Sequence, residues 1–313
     1  MGMSALALVN AARAELGFTP PLTTLVANAA MAQFLALLQA VGRDLVTEKD
    51  WTMLQRVTTL QTVDPVVTTA DTTEASTSLT NAGTIVGVDS DCSITGLGIP
   101  VGARIVSASG STIVMDSKAS ATGTGITVTI SRDTFAMPAD FRKWVNQTQW
   151  DRTNNWPLIG PISPQEYQWA ASGVVQTGPR ERYQQVYTSS GAPGIRLWPP
   201  PSAAEAPATI SYQYMSAYWV LSNASPPVPK ATITADTDTF IFPDDLMIAG
   251  LKARLWRANG YDSTAYDQDF ARIFSKITSQ DGGSRVLIAA RRRYPYLISP
   301  MNVQDGNWPS GGG

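Results

Sequence analysis

The chain contains no histidine. That excludes every mechanism that depends on an imidazole base or an imidazole metal ligand from this chain. Cys92 is the single cysteine in 313 residues. It rules out an intrachain disulfide and a thiolate zinc site, and it fits folding in a reducing compartment. Charge is sparse as well: 15 % of residues are charged and the net charge is −2. Such a chain has no global attraction to nucleic acid or to an anionic membrane. The most apolar window, residues 25–41, is interrupted by Asn28, Gln33 and Gln39 and falls short of a bilayer span. No membrane partner is expected. The opening MGMSALALVNAARAEL lacks a basic n-region and soon reaches Arg13 and Glu15, so it is not expected to act as a secretory leader.

One absence is regional. The chain has 9 Trp, 10 Tyr and 8 Phe, yet none lies between Trp51 and Phe135. Over residues 71–131 the composition turns to Thr, Ser, Gly, Val and Ile, in short runs such as TIVGV, STIVMDS and GITVTI. Gly, Asn and Asp separate these runs, which is the pattern of a small all-β module. We read it as an insertion. The main chain is expected to resume at Thr134–Pro138 and to pair with the strand left at Val63.

What is present in strength is helical periodicity. Residues 243–283 form the stretch around which the rest is organised. Pro243, Asp244 and Asp245 make a helix start, since proline suits the first turn and acids favour the positive end of the dipole. Met247, Leu251 and Leu255 recur at 3.6-residue spacing, and Asn259-Gly260 supplies a left-handed stop. Asp262 or Ser263 can cap a second helix whose stripe is Tyr266, Phe270, Ile273, Phe274 and Ile277. Two helices are also expected in the N-terminal part: one after Ser4, and one over about residues 28–47 carrying Met31, Phe34, Leu35, Leu38, Val41 and Leu45. From Phe141 the aromatics return as Trp144, Trp150, Trp156 and Trp169, which read as core beneath β elements or as an interface cluster. Strand candidates follow at 194–198 and 208–214, with a short helix in SPQEYQWAA.

Sites of chemistry are hard to nominate. Gly96, Gly98 and Gly102 are spaced GxGxxxG with Pro100 between them, which is turn chemistry rather than a dinucleotide fingerprint. Asp236 and Asp238 read as loop hydrogen bonding or helix capping, because no further spaced oxygen ligands accompany them. Glu15, Glu48, Glu166 and Glu181 are scattered, so no acid pair emerges. No catalytic residue, metal or cofactor is expected, and the chain reads as a non-enzyme. The concentrated charge lies in the last thirty residues: Arg285, then Arg291, Arg292 and Arg293, followed by Tyr294, Tyr296, Leu297 and Ile298. An extended arm that docks on a neighbour through those apolar residues is the reading we favour.

Four passages together resemble the head-to-tail adaptor (connector) proteins of tailed bacteriophages. They are the N-terminal helices ending in VGRDLVTEKDWTMLQR; MPADFRKWVNQTQWDRTNNWPLIGPISPQEYQW; IRLWPPPSAAEAPATISYQYMSAYWV; and ADTDTFIFPDDLMIAGLKARLWRANGYD. Residues 71–131 fall outside that pattern and resemble a small β module of phage structural proteins. The expected fold is α+β: a helical bundle of the N-terminal helix pair and the C-terminal helical hairpin, with aromatic-rich β elements and an inserted all-β domain. The expected divisions are residues 1–70, 71–131, 132–283 and an arm at 284–313. The resemblance implies a structural virion protein of the neck, assembled in the host cytoplasm as a ring of twelve copies beneath the portal protein. It implies tail or nozzle proteins as further partners, and genomic DNA passing through the lumen without sequence-specific binding. The alternative is a surface-binding or decoration module acting through the β insertion.

Overall fold

The computed structural model describes residues 2–83, 85–172, 182–203 and 207–282. Among them are five α-helices: α1 (Ala5–Glu15), α2 (Ala32–Glu48), α3 (Pro164–Ala171), α4 (Asp244–Ala258) and α5 (Thr264–Gln280). Seventeen short strands accompany them, in small antiparallel sheets.

This corrects the expected α+β helical bundle. Strands dominate, and the N-terminal helices form no clear bundle of their own. The helices α1 and α2 each pack on α4 rather than chiefly on one another. Helical periodicity located the elements but carried no information on their partners, and most of the strands are too short to leave a periodic signal. A second correction concerns Thr134–Ala136. It pairs not with the strand ending near Val63 but with Pro193–Trp198, in the register Gly194↔Ala136, Ile195↔Phe135 and Arg196↔Thr134.

The described chain divides into two compact units. The first takes residues 2–56, 140–144 and 214–282. Here α1 begins where Ser4 Oγ accepts the Ala7 N–H at 3.2 Å, and Ala5, Leu8, Val9 and Ala12 form its buried stripe. Beneath α4 the core contains Leu38, Val41, Leu45, Trp51, Leu54, Trp219, Phe240 and Phe242. Fully burying one such side chain stabilises by about 1.5–3 kcal/mol, more than an exposed ion pair at ~0–1 kcal/mol, so apolar packing decides this unit.

The second unit takes the described residues of 57–139 and 145–213. Within it, Gly123–Arg132 is flanked by Val66–Thr72 and Cys92–Gly96, while Thr112–Met115 is flanked by Ser78–Leu79 and Ile105–Ser109. The enclosed core includes Ala70, Leu79, Ile94, Ile105, Ile113, Val128 and Ile130, with no aromatic residue. Alternation along each strand makes this possible, since every second Val or Ile faces inward. The sharp reversal between Gly96 and Gly102 is a turn: both Gly98 and Gly102 have φ near +77° (+77° and +76°), where a side chain would be strained. Elsewhere in the unit, Arg182–Tyr187 pairs with Pro193–Trp198. Ser163 caps α3 through the Glu166 N–H, and Ile162, Tyr167, Ala170 and Trp198 cluster beside it.

Candidate assembly surface

In the first unit, α4 presents one face inward. Met247, Leu251 and Leu255 are fully buried there, alongside Leu246 and Ile248. The second predicted stripe behaves differently. Phe270, Ile273, Phe274 and Ile277 of α5 pack against the same core but are only half-buried, and no residue of α5 is fully buried. A 17-residue helix of this kind rests on the core along one stripe and exposes the remainder. The ring of Phe274 meets Trp51 edge-on at 5.6 Å, and Trp51 meets Phe242 at the same separation, so α5 is anchored through Trp51.

Between α2, α4 and α5 lies a cleft of about 280 Å³. Its floor is Val41, Leu45, Phe270 and Phe274, and its rim carries Asp44, Glu48, Arg254, Arg257 and Asp267. Arg254 pairs with Asp44, and Arg257 with Asp267 at 2.7 Å. Burial, followed by the like charges of Arg257 and Arg43, holds the Arg254 guanidinium below its ordinary value. Four of the rim charges are thus paired with one another, and Glu48 stands outside both pairs.

The foot of α5 is pinned. Thr52 donates its N–H to Asp281 Oδ2 at 3.1 Å and its hydroxyl to Oδ1, and Lys49 Nζ lies 3.3 Å from Oδ2. Burial works to raise the Asp281 carboxyl, but the Thr52 hydrogen bonds and the Lys49 ammonium outweigh it and hold the group below the usual range. The chain is therefore held at Asp281, just past the end of α5. The arm candidates Arg285, Arg291, Arg292, Arg293, Tyr294, Tyr296, Leu297 and Ile298 lie outside the described residues.

Other predicted features resolve individually. Trp144 is buried, Trp150 and Trp156 are half-buried, and Trp169 on α3 is 50 % exposed. Asp236 accepts the N–H groups of Leu25 and Val26, at 3.1 and 2.8 Å. Asp238 accepts from the N–H groups of Thr234 and Ala235 and from Lys230 Nζ. Both are loop-building carboxylates, as their spacing implied. Among the described residues no cluster of metal-ligating side chains exists, and no helix is long and apolar enough to cross a membrane. What sequence reasoning missed is the role of Trp51 and Asp281 at the base of α5, because their partners are distant in the chain.

Residues 102–295 match the family model described as SU10 adaptor protein. The chain belongs to that family. No curated protein matches it. The match starts inside the β segment and takes in three of the four passages that carried the resemblance, while the N-terminal passage lies outside it. This adaptor is thus a phage adaptor-type protein, whose partners are other proteins of the phage particle. Its half-buried α5 and the cleft beside it both lie within the matched residues or border them, the α2 side of the cleft lying outside.

Proposed function

We propose that this adaptor is a structural, non-catalytic ring protein of the virion neck that joins the portal vertex to the tail and lines part of the DNA channel. Membership of the SU10 adaptor protein family is the observation that carries the reading. The stripe of α5 is only half-buried against its own core, and the edge it leaves uncovered is the area that would support a lateral contact between copies. In this reading the ring contains twelve copies and is assembled in the host cytoplasm. Portal protein lies on one side and tail or nozzle proteins on the other, and genomic DNA passes through without sequence-specific contact. Residues 1–70 and 132–283 form the adaptor core, residues 71–131 an insertion, and residues 284–313 an arm that ties each copy to its partner. Ordering such an arm costs conformational freedom, so its affinity rests on the buried area of Tyr294, Tyr296, Leu297 and Ile298.

Electron microscopy of the purified protein mixed with portal complexes tests the ring. An annulus of adaptor on the portal is expected, and bare portals at saturating adaptor would overturn the reading. Deleting residues 284–313 should leave a folded protein that no longer co-sediments with portal; unchanged co-sedimentation would remove the arm from the account.

A second reading rests on the β segment, where Val86 and Leu97 are 81 % and 80 % exposed. Exposed aliphatic side chains on a compact module fit a binding or decoration surface on the particle. Removing residues 71–131 distinguishes the two: intact assembly with lost adsorption to cells favours this second role.

A further inference from the structure

The β segment at 66–132 has its own core. Every buried member of that core lies between Ala70 and Ile130, and the partly buried residues packed against it lie between Val66 and Ile126. The chain enters through irregular backbone at 62–65 and leaves through Asp133, and Val66 pairs with Ile130, so both covalent links lie at one end. Asp133 is buried there, its N–H donating to Asp91 O and its carbonyl accepting the Leu197 N–H, and the Thr134 N–H also donates to Asp91 O, so these bonds form the joint itself. At that end Arg104 reaches across to the exit, with Nη1 2.5 Å from Asp133 Oδ2 and Nη2 donating to Ser90 O at 3.0 Å and to Thr134 Oγ1 at 3.3 Å.

A separate tie joins the segment to the turn after Arg182–Tyr187. Asp91 takes two hydrogen bonds from one residue: the Ser189 N–H donates to Oδ1 at 2.8 Å and the Ser189 hydroxyl donates to Oδ2 at 2.8 Å. Arg132 Nη1 stands 3.9 Å from the same carboxylate, and Arg132 Nη2 is engaged by Asp89 at 2.7 Å. The turn that offers Ser189 is itself closed, with Thr188 N–H donating to Ala192 O and Gly191 N–H to Thr188 O. A close approach accompanies the tie on the α3 side, where a Cβ on Gly102 would lie 2.6 Å from the Ala171 carbonyl oxygen. Polar bonds of this kind are directional and few, unlike a shared apolar core, which gives way only when both sides unfold.

We infer that residues 66–132 form a hinged body latched by Asp91 onto Ser189, able to swing away from the Arg182–Tyr187 and Pro193–Trp198 strand pair without losing its own fold. The latch gives the second unit one movable part. This holds independently of whether the chain forms a ring, since it concerns a joint inside one protomer.

Paired spin labels test it, placed at Leu97→Cys and Tyr187→Cys in a Cys92→Ser background of the full chain. Both positions are exposed. The latched protein should give one narrow distance distribution, Asp91→Ala a broad one, and Asp91→Asn, which keeps an acceptor for the Ser189 N–H, a largely restored one. Amide exchange supplies the second readout. In Asp91→Ala the Ser189 amide should exchange roughly tenfold to hundredfold faster, the effect of removing a charged acceptor, while Ile94, Val128 and Ile130 keep their protection. An unchanged distribution would overturn the latch. So would a parallel loss of protection at Ile94, Val128 and Ile130, because Asp91 would then be holding the segment's own fold. The unmodified chain gives an independent check: its Ser189 amide should exchange ahead of those three amides, and equal protection would equally defeat the inference.

Discussion

Gly42 and Trp219 are in contact through a space that admits no further atom. A Cβ on Gly42 would lie 2.3 Å from Cη2 of Trp219, whose ring stacks on Phe240 at 5.6 Å with an interplanar angle of 15°. Trp219 is 1 % exposed and sits within the core of the first unit. Gly42 occupies the buried face of α2, where helix propensity alone would favour alanine.

Gly42→Ala therefore sets a gain in propensity of about 1 kcal/mol against overpacking of about 1–3 kcal/mol or more, and the steric cost should prevail because the indole cannot retreat from Phe240. The expected outcome is a lower denaturation midpoint by urea titration. A midpoint equal to or above that of the parent would show that the ring has room to move.

Asp238 offers a second test. Its carboxylate is buried and holds Lys230 Nζ at 2.6 Å and the N–H of Thr234 at 2.9 Å. Its backbone carbonyl also accepts the Ala5 N–H at the start of α1. Asp238→Ala leaves two amides without their acceptor and Lys230 Nζ with Thr234 Oγ1 as its remaining partner, and because the ammonium is a quarter exposed the loss should fall at or below the low end of the ~3–5 kcal/mol of a broken buried pair. Burial pushes this carboxyl up, but the Lys230 and backbone hydrogen bonds outweigh it and hold it below its ordinary value of 3.8. A depressed pKa contributes stability that is present above pH 3.8 and is lost as pH falls through the lower folded value. Acid titration of the parent and of Asp238→Asn, followed by circular dichroism, should show a shallower acid loss in the variant.

At the alkaline end Tyr183 offers a third test. It is fully buried and donates its hydroxyl to Gln149 Oε1 at 3.0 Å. Burial pushes its phenol from 10.0 up to about 12. A raised pKa contributes stability that is complete below 10.0 and is lost as pH rises through about 12. Ultraviolet titration should find a tyrosine that ionises only with unfolding, and Tyr183→Phe should remove that late step. Its persistence in the variant would assign it to another residue.

Phe274→Ala removes the ring by which α5 rests on Trp51. Because Phe274 is half-buried, the loss should fall at or below the low end of the ~3–5 kcal/mol seen for fully buried Phe→Ala. Hydrogen exchange should rise along Thr264–Gln280 while α4 stays protected. Equal loosening of α4 would show that the two helices unfold as one.

Much of the local structure was legible beforehand. The helix start after Ser4, the short helix in SPQEYQWAA, the acidic start of α4, its stop at Gly260 and the reversal at Gly96–Gly102 all depend on neighbours within a few residues, which sequence displays directly. So does the absence of aromatics from residues 52–134, which left the β segment a core of aliphatic side chains. Aromatic residues were harder to place: Trp144 and Trp169 read alike in the sequence, yet one is buried in a strand and the other stands out from α3.

Pairing was decided elsewhere. The chain specified amphipathic helices but not that α1 and α2 would each settle on α4, and it specified a strand at Thr134–Ala136 but not Pro193–Trp198 as its partner. Nor did it link Asp91 to Ser189 or Asp281 to Thr52, residues separated by 98 and 229 positions. Propensity and capping act over one or two turns, and those terms the residues carry with them. Which apolar face meets which, and which buried carboxylate finds which donor, depends on the whole surface left uncovered once the local elements have formed.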